Sequence, residues 1–367
     1  MRNFDYLSLK DALWDTEMIN LISLIHEHKG KQDLYLRQKP TELKRLVEIA
    51  KVQSTESSNR IEGIVTTSSR INALMHEKTT PRNRDEKEIA GYRDVLNTIH
   101  ENHEYIPLSS SYILQLHRDM MQYAGNPLGG RYKATQNYLE ETRADGSRFI
   151  RFTPVAPYET EPCIVSICEA YQKALDGQKI DPLLLIPVFI KDFLCIHPFS
   201  DGNGRMSRLL TLLLLYQSKY VVGRYVSIEK HIEKTKDAYY DALEEASQGW
   251  HEGNGNQVPF VKYMLGVILA CYREFEARVD VLSKPDSSGK ILVKSTATEI
   301  VRAAVESRIG KFTKTEILNI CPTISRSSVE QGLRDLLAGN EIQKFGAGRT
   351  TYYLRSDAIR KKSLDAE

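Results

Sequence analysis

Two apolar helical runs, joined by a short segment dense in polar groups, constrain this chain more than any other feature. Leu183–Ile190 and Leu209–Leu215 are interrupted only by Pro187 and Thr211. A helix that is apolar on every side has to be buried. Helices over Pro182–Cys195 and Gly204–Ser218 are therefore expected as the interior of a helical bundle. Between the two runs lies His197-Pro198-Phe199-Ser200-Asp201-Gly202-Asn203-Gly204-Arg205-Met206-Ser207-Arg208. This places a polar loop at the N-terminal end of a core helix, where free backbone amides and the helix dipole favour an anion. Arg205 and Arg208 stand one turn apart and can direct fork-shaped donors at the same anion. That combination suits a polyphosphate.

Helical periodicity also covers Thr16–His28, Thr41–Val52, Arg84–Glu101, Ser109–Tyr123, Glu161–Leu175, Thr235–Ser247 and Pro259–Leu282. The 367 residues allow two or three domains, and 50 Lys and Arg against 48 Asp and Glu give no polyelectrolyte character to argue for nucleic acid or membrane. Cys163, Cys168, Cys195, Cys271 and Cys321 show no metal-binding spacing and read as buried thiols of a reducing compartment. The first residues hold no apolar signal core, and the apolar runs fall well short of the roughly 20 residues that cross a bilayer. A soluble, cytoplasmic protein without a membrane partner is expected.

Two stretches break the helical pattern. Arg131–Phe152 reads as an extended hairpin, with Thr135–Thr142 and Ser147–Phe152 flanking an Asp145-Gly146 turn. Lys284–Lys290 has linker composition. Beyond it, helices at Thr296–Ser307, Thr313–Ile320 and Ser325–Ala338 precede strands at Ile342–Phe345 and Thr350–Leu354, the outline of a winged helix. From Pro285 onward there are 14 Lys and Arg against 10 Asp and Glu. This mild excess, with Glu330 and Asp335 interleaved among Arg326 and Arg334, suits protein docking or dimer formation better than a DNA-tracking face.

The loop residues suit one chemistry. A neutral imidazole at His197 can take a hydroxyl proton near neutral pH. Asp201 is a hard oxygen ligand of the kind Mg²⁺ shares with phosphates. Gly202 and Gly204 admit phosphate oxygens to the backbone, and Asn203 can donate to an oxygen or hold the turn. Arg205 and Arg208 offset charge that builds up during phosphoryl-type transfer. Each piece has an ordinary reading by itself, as a helix stop or a solvated turn. Their fixed spacing at the start of an apolar helix favours a site.

These twelve residues match the His-Pro-Phe-x-Asp/Glu-Gly-Asn-Gly-Arg-x-x-Arg signature of the Fic family position for position, and the chain resembles that family from its N-terminal helices to the linker. The resemblance implies a mainly α fold: a Fic-type helical bundle with a β-hairpin flap, plus the small C-terminal winged-helix domain. It implies a helical region at 1–108, a catalytic core at 109–283, a linker at 284–293, the winged helix at 294–356 and a tail at 357–367. The implied activity is transfer of AMP from ATP, with Mg²⁺, to a Ser, Thr or Tyr hydroxyl of a target protein, with self-modification and homodimers among the expected partnerships. By motif position, His197 resembles the general base and Asp201 the Mg²⁺ ligand. Gly202, Asn203 and Gly204 resemble the phosphate turn, and Arg205 and Arg208 the holders of the β and γ phosphates. The strand Ile150-Arg151-Phe152-Thr153 lies where the family carries its target-holding flap. Tyr239-Tyr240 resembles the pair near the adenine, although tyrosines at helical spacing pack into cores just as readily.

Ser58-Asn59-Arg60-Ile61-Glu62-Gly63 has the Ser/Thr-x-x-x-Glu-Gly/Asn spacing of the family's inhibitory motif, placed N-terminal to the core. The resemblance implies that Glu62 pairs with Arg208 and occupies the guanidinium meant for the γ phosphate. An intramolecular carboxylate competes at high effective concentration. Three alternatives stay open: Glu62 assisting hydrolytic removal of AMP from a target, another nucleotide as donor, and a DNA-binding regulator acting through the winged helix.

Overall fold

The computed structural model describes residues 4–356 except 13, 39, 126–128, 143–145, 178–179, 284–296, 307, 309 and 322–323. The expected linker at 284–293, the start of the winged helix at 294–296 and the tail at 357–367 lie outside the described residues, as does Asp145 of the expected hairpin turn. The chain is mainly helical. Its helices are α1 (Thr16–Gln38), α2 (Pro40–Ile61), α3 (Ser68–Met75), α4 (Arg84–Asn102), α5 (Ser110–Met121), α6 (Pro157–Asp176), α7 (Pro182–Ile196), α8 (Asn203–Gln217), α9 (Ile228–Lys234), α10 (Lys236–Ser247), α11 (Val258–Ser283), α12 (Ala297–Glu306), α13 (Lys314–Ile320) and α14 (Arg326–Ala338). Two antiparallel hairpins complete it: β1 (Leu139–Thr142) with β2 (Arg148–Phe152), and β3 (Ile342–Phe345) with β4 (Tyr352–Arg355).

Two compact units divide the chain, one built from residues 1–29 and 50–271, the other from 30–49 and 272–367. At the centre of the first unit, α7 packs between α6 and α8, and α8 also meets α4. The Asp181 side chain starts α7 by accepting the Leu183 amide at 2.8 Å, and Pro182 follows at a position where a missing N–H costs nothing. Every residue from Leu183 to Ile196 is buried, as the apolar run demanded. The same holds from Arg205 to Tyr216 on α8. Each fully buried Leu, Ile or Phe on these helices contributes about 1.5–3 kcal/mol, so the scaffold behind the polar loop is rigid.

In the second unit, Val301, Ala304, Phe312, Ile317, Val329, Leu333, Leu336 and Ile342 form one core. Thr313 and Glu316 close a reciprocal capping box at the start of α13. Phe312 exchanges two backbone bonds with Tyr353, at 3.0 and 2.7 Å, and so extends the β3–β4 sheet.

Several elements differ from the sequence reading. α1 and α2 run on to Gln38 and Ile61, and α3 and α9 are additional. β1 begins only at Leu139, leaving Thr135–Tyr138 outside the strand. β2 ends at Phe152, so Thr153 lies beyond it. The five cysteines are free and buried. No helix among the described residues is long and apolar enough to cross a membrane.

Candidate active site at the start of helix α8

The polar loop begins with a strained residue. His197 ends α7 at φ 51° and ψ 63°, the left-handed region, with its amide on the Phe193 carbonyl at 2.9 Å. That conformation costs a non-glycine residue roughly 1–2 kcal/mol, so neighbouring contacts must hold it. The half-buried ring places Nδ1 3.3 Å from the Leu194 carbonyl. A carbonyl only accepts, so Nδ1 carries the hydrogen and Nε2 keeps its lone pair. Burial, aided by the Lys133 charge, lowers the imidazole pKa to about 4 against the opposing pull of the Leu194 bond and Glu62. The ring is a neutral acceptor at pH 7.

The rest of the loop is stapled to its own backbone. Asn203 accepts the Phe199 amide at 2.9 Å and donates to the Phe199 carbonyl at 2.7 Å, so its amide holds the turn rather than reaching outward. The Phe199 ring stacks on His117 with centroids 3.6 Å apart and planes 9° from parallel. His117 Nδ1 accepts the Gly130 amide at 3.0 Å, which leaves Nε2–H to donate to the Asp201 carbonyl, also at 3.0 Å. Gly202 then caps α8 at φ 83°, and as a glycine it offers no side-chain cap to the helix's first amides. The N-terminal end of α8 is thus open to an anion.

Arg205 is almost fully buried, and its guanidinium lies 2.8 Å from the buried Glu88 and 3.5 Å from Asp201. Arg84, on the surface, bridges the same two carboxylates at 2.7 and 3.4 Å. Asp201 therefore sits between two cations with its side chain 41% exposed. Asp201 is a hard oxygen donor of the kind Mg²⁺ takes, with each of its oxygens here facing a guanidinium.

The start of α8 faces Glu62. Residues 59–64 end α2 in a Schellman motif: Gly63 adopts φ 79°, its amide reaches the Arg60 carbonyl at 3.0 Å, and the Ile64 amide reaches Asn59 at 3.0 Å. This end leaves Glu62 at the cap, aimed across at α8. Its Oε1 accepts from Arg208 Nη2 at 2.7 Å, and a Cβ placed on Gly204 would stand only 2.2 Å from that oxygen. Only glycine at 204 lets the carboxylate nest there. Arg208, 3% exposed, gives its Nε to Ser58 Oγ at 2.8 Å and Nη2 to the Ser58 carbonyl at 2.9 Å. Partial burial would raise the Glu62 pKa, but Arg208, with Arg205 and Lys236 behind it, brings the net value below the ordinary glutamate range. Arg208 is in turn held charged by Glu62 in spite of its own burial.

Polar contacts fix α2 from behind. The buried Glu229 carboxylate accepts from Ser54 at 2.6 Å, Ser227 at 3.1 Å and Tyr92 at 3.1 Å. Arg60 pairs with Glu233 at 3.0 Å, and Lys236 Nζ caps the Ile61 carbonyl at 2.8 Å.

The hairpin strand β2 and the tyrosine pair have contacts of their own. Ile150 of β2 is 52% exposed, Arg151 lies 3.8 Å from Glu244, and Phe152 stacks on His251 at 5.3 Å. The Thr153 carbonyl accepts from His251 Nε2 at 2.8 Å. Trp250, edge-on to Phe152, is anchored to buried Asp192 of α7 at 2.7 Å, which ties the end of β2 to the core helix. Tyr239 and Tyr240 have different surroundings. Tyr239 is buried against Phe260 and Tyr263, while Tyr240 is half-buried with Lys236 5.8 Å over its ring. The sequence reading missed Glu88, His117, Lys133, Asn137 and Trp250. Each is far from the motif along the chain; Glu88 and His117 lie on the buried faces of helices that periodicity finds, but periodicity gives no polar group there a partner.

Residues 107–215 match the Fic/DOC family. The chain is 24% identical over 231 residues to a protein adenylyltransferase Fic of Nematostella vectensis, covering 60% of this chain and 48% of that protein. It is 29% identical over 161 residues to protein adenylyltransferase fic-1 of Caenorhabditis elegans, covering 44% and 27%. The chain spans about half the length, or less, of the curated relatives it matches. A Fic family protein from Desulfovibrio desulfuricans G20 shares the fold with a TM-score of 0.61 at 18% identity, over 94% of this chain and 97% of that one. C. elegans Fic-1 (residues 134–508) gives 0.54 at 20% identity, over 71% and 72%. This loop and this scaffold lie within residues 107–215, the stretch that matches the Fic/DOC family.

Proposed function

We propose that this chain transfers AMP from ATP to a hydroxyl side chain of a protein and that Glu62 restrains the reaction. The observation that carries this reading is the carboxylate of Glu62 nested against Gly204 and Arg208 at the open end of α8, beside an imidazole with its Nε2 lone pair available. An acid held at that spot marks it as an anion site and blocks it. The name protein adenylyltransferase, borne by the Nematostella and C. elegans relatives, supports the same chemistry.

In this reading the target hydroxyl gives its proton to His197 Nε2 while its oxygen bonds to the α-phosphorus. The bond from that phosphorus to the bridging oxygen breaks, and pyrophosphate leaves. Arg208 and the first amides of α8 receive the terminal phosphates once Glu62 has withdrawn, and Arg205 adds positive potential from beneath. Mg²⁺, when bound at Asp201, would neutralise phosphate charge. The exposed edge of β2 offers backbone groups to an extended target segment around Ile150 and Arg151, and Tyr240 lines the side where a base would lie.

The C-terminal helices and hairpin fit a winged helix used for docking or self-association. Its charges argue against a DNA face: Arg326 and Lys314 both pair with Glu330, at 3.1 and 2.9 Å. Buried free thiols suit a reducing, cytoplasmic setting.

The test is intact-mass analysis of Glu62→Gly after incubation with Mg²⁺ and each of the four nucleoside triphosphates, with and without candidate targets. A mass gain of one AMP that disappears in Glu62→Gly/His197→Ala supports the proposal. A gain with another nucleotide alone changes the donor. No gain with any of them, in the presence of a cell extract as target source, rejects the reading. Incubating the AMP-bearing product with wild type tests whether Glu62 instead assists hydrolytic release.

A further inference from the structure

The carbonyls of Ile196, His197, Pro198 and Phe199 are four in a row, and all are held by two residues. Lys133 Nζ donates to the Ile196 carbonyl at 3.0 Å, and the Lys133 backbone amide donates to Pro198 at 2.9 Å. Asn137 Nδ2 donates to the His197 carbonyl at 3.2 Å and to Phe199 at 3.1 Å. The two side chains also lock each other, Nζ to Asn137 Oδ1 at 2.8 Å. Lys133 is 3% exposed, an unusual place for an ammonium group with no carboxylate among its bonded partners.

Burial of that kind is costly and needs a function. The backbone it grips contains the one feature of the loop that is strained, His197 at φ 51°. A left-handed residue persists only where its surroundings over-determine it. Asn203 secures the far end of the loop through Phe199, but it makes no bond to residues 196–198. The near end depends on Lys133 and Asn137.

We propose that Lys133 and Asn137 are positioning residues that hold His197 in its left-handed backbone conformation and so fix the direction of its Nε2 relative to the α8 anion site. The proposal rests on the reading of His197 as the base. It adds that the segment before the flap, rather than the loop itself, sets the aim of that base. Burial lowers the Lys133 ammonium pKa to about 8, in keeping with a group set inside the protein with no carboxylate among its bonded partners.

The experiment compares Lys133→Met and Asn137→Leu in the Glu62→Gly background, with Asn137→Leu as the milder variant should Lys133→Met not fold. Three quantities are read: the affinity for MgATP by calorimetry, the single-turnover rate of AMP transfer, and the ring signals and titration of His197 by NMR. A misaimed base costs about 10–100-fold in rate. MgATP affinity should stay within about twofold, since neither residue reaches the α8 N-terminus, and the His197 ring signals should shift. Transfer unchanged in both variants overturns the proposal, and so does a parallel loss of ATP affinity and rate, which would mean general loosening. If the parent Glu62→Gly protein transfers nothing, the functional reading fails separately. The NMR arm then still decides, since His197 signals unmoved by either substitution overturn the brace.

Discussion

Replacing Gly204 by alanine tests whether Glu62 really occupies the α8 anion site, through stability rather than activity. The added Cβ would lie 2.2 Å from Glu62 Oε1, whereas ordinary contacts begin near 3.4 Å. The carboxylate must retreat by about 1.2 Å, which stretches its 2.7 Å bond to Arg208 toward ~3.9 Å and breaks it. A charge-assisted bond of this kind contributes about 1.5–3 kcal/mol, and the lower half of that range applies because the Glu62 side chain is 31% exposed. Arg208 keeps both bonds to Ser58, so it is not left unpaired. Alanine within a helix returns about 0.5–1 kcal/mol relative to glycine. Gly204→Ala should therefore cost roughly 1 kcal/mol in the wild type and be neutral or stabilising in Glu62→Gly, a coupling of about 1.5–2 kcal/mol. Urea unfolding of the four proteins of the cycle measures it. The sign with pH follows from the lowered Glu62 pKa. The pair's stabilisation is complete above the unfolded carboxyl value of about 4.3 and is lost as pH falls through the lower folded value, so the coupling is full at pH 7 and fades in acid. An equal effect of Gly204→Ala in both backgrounds would refute the nesting of Glu62 at this helix end.

Ser58→Ala removes the Oγ that receives Arg208 Nε and should release the brake only in part, with transfer rising less than in Glu62→Gly and stability falling by about 1–2 kcal/mol; labelled-ATP incorporation and urea unfolding measure the two. With the His197 pKa near 4, kcat/KM of Glu62→Gly should stay flat from pH 8 down to about pH 6, since the base is already neutral throughout. A fall to half near pH 6.5 would contradict the buried, Leu194-tethered imidazole. Glu88→Gln takes away the buried carboxylate that faces Arg205, and should weaken stability by about 1–3 kcal/mol while leaving the affinity of the α8 site for ATP within a fewfold, as thermal melts and calorimetry would show.

The motif and its scaffold were legible because they obey simple rules. Apolar runs on both sides force α7 and α8 inside, and a glycine-rich turn between them has few alternatives. The N-terminal arm was harder to read. The periodicity ends α2 at Val52, and Gln53–Asn59 is a polar run, the usual mark of a surface. Ser54, Thr55, Ser57, Ser58 and Asn59 are instead all buried, at 3% exposure or less. Two of them are matched by partners that lie more than a hundred residues away, Glu229 for Ser54 and Arg208 for Ser58. Hydrophobic periodicity cannot see a helix face that is buried through hydrogen bonds. The same blindness hid Lys133 and Asn137 in a stretch read as the beginning of a strand. For the tyrosines, spacing alone could not decide which ring packs inward; the aromatic cluster of Phe260 and Tyr263 around Tyr239 settles that.

The bare start of α8 has a consequence for how this protein tolerates waiting. With Gly202 as its cap, the helix has no side-chain acceptor from the capping residue, and a negatively charged visitor suits its free amides and dipole. Glu62 is a stand-in supplied by the same polypeptide, so a resting molecule need not fray while substrate is scarce. Loss of that stand-in should leave a protein that leans on its nucleotide for integrity, with a larger rise in melting temperature on adding MgATP than the wild type shows.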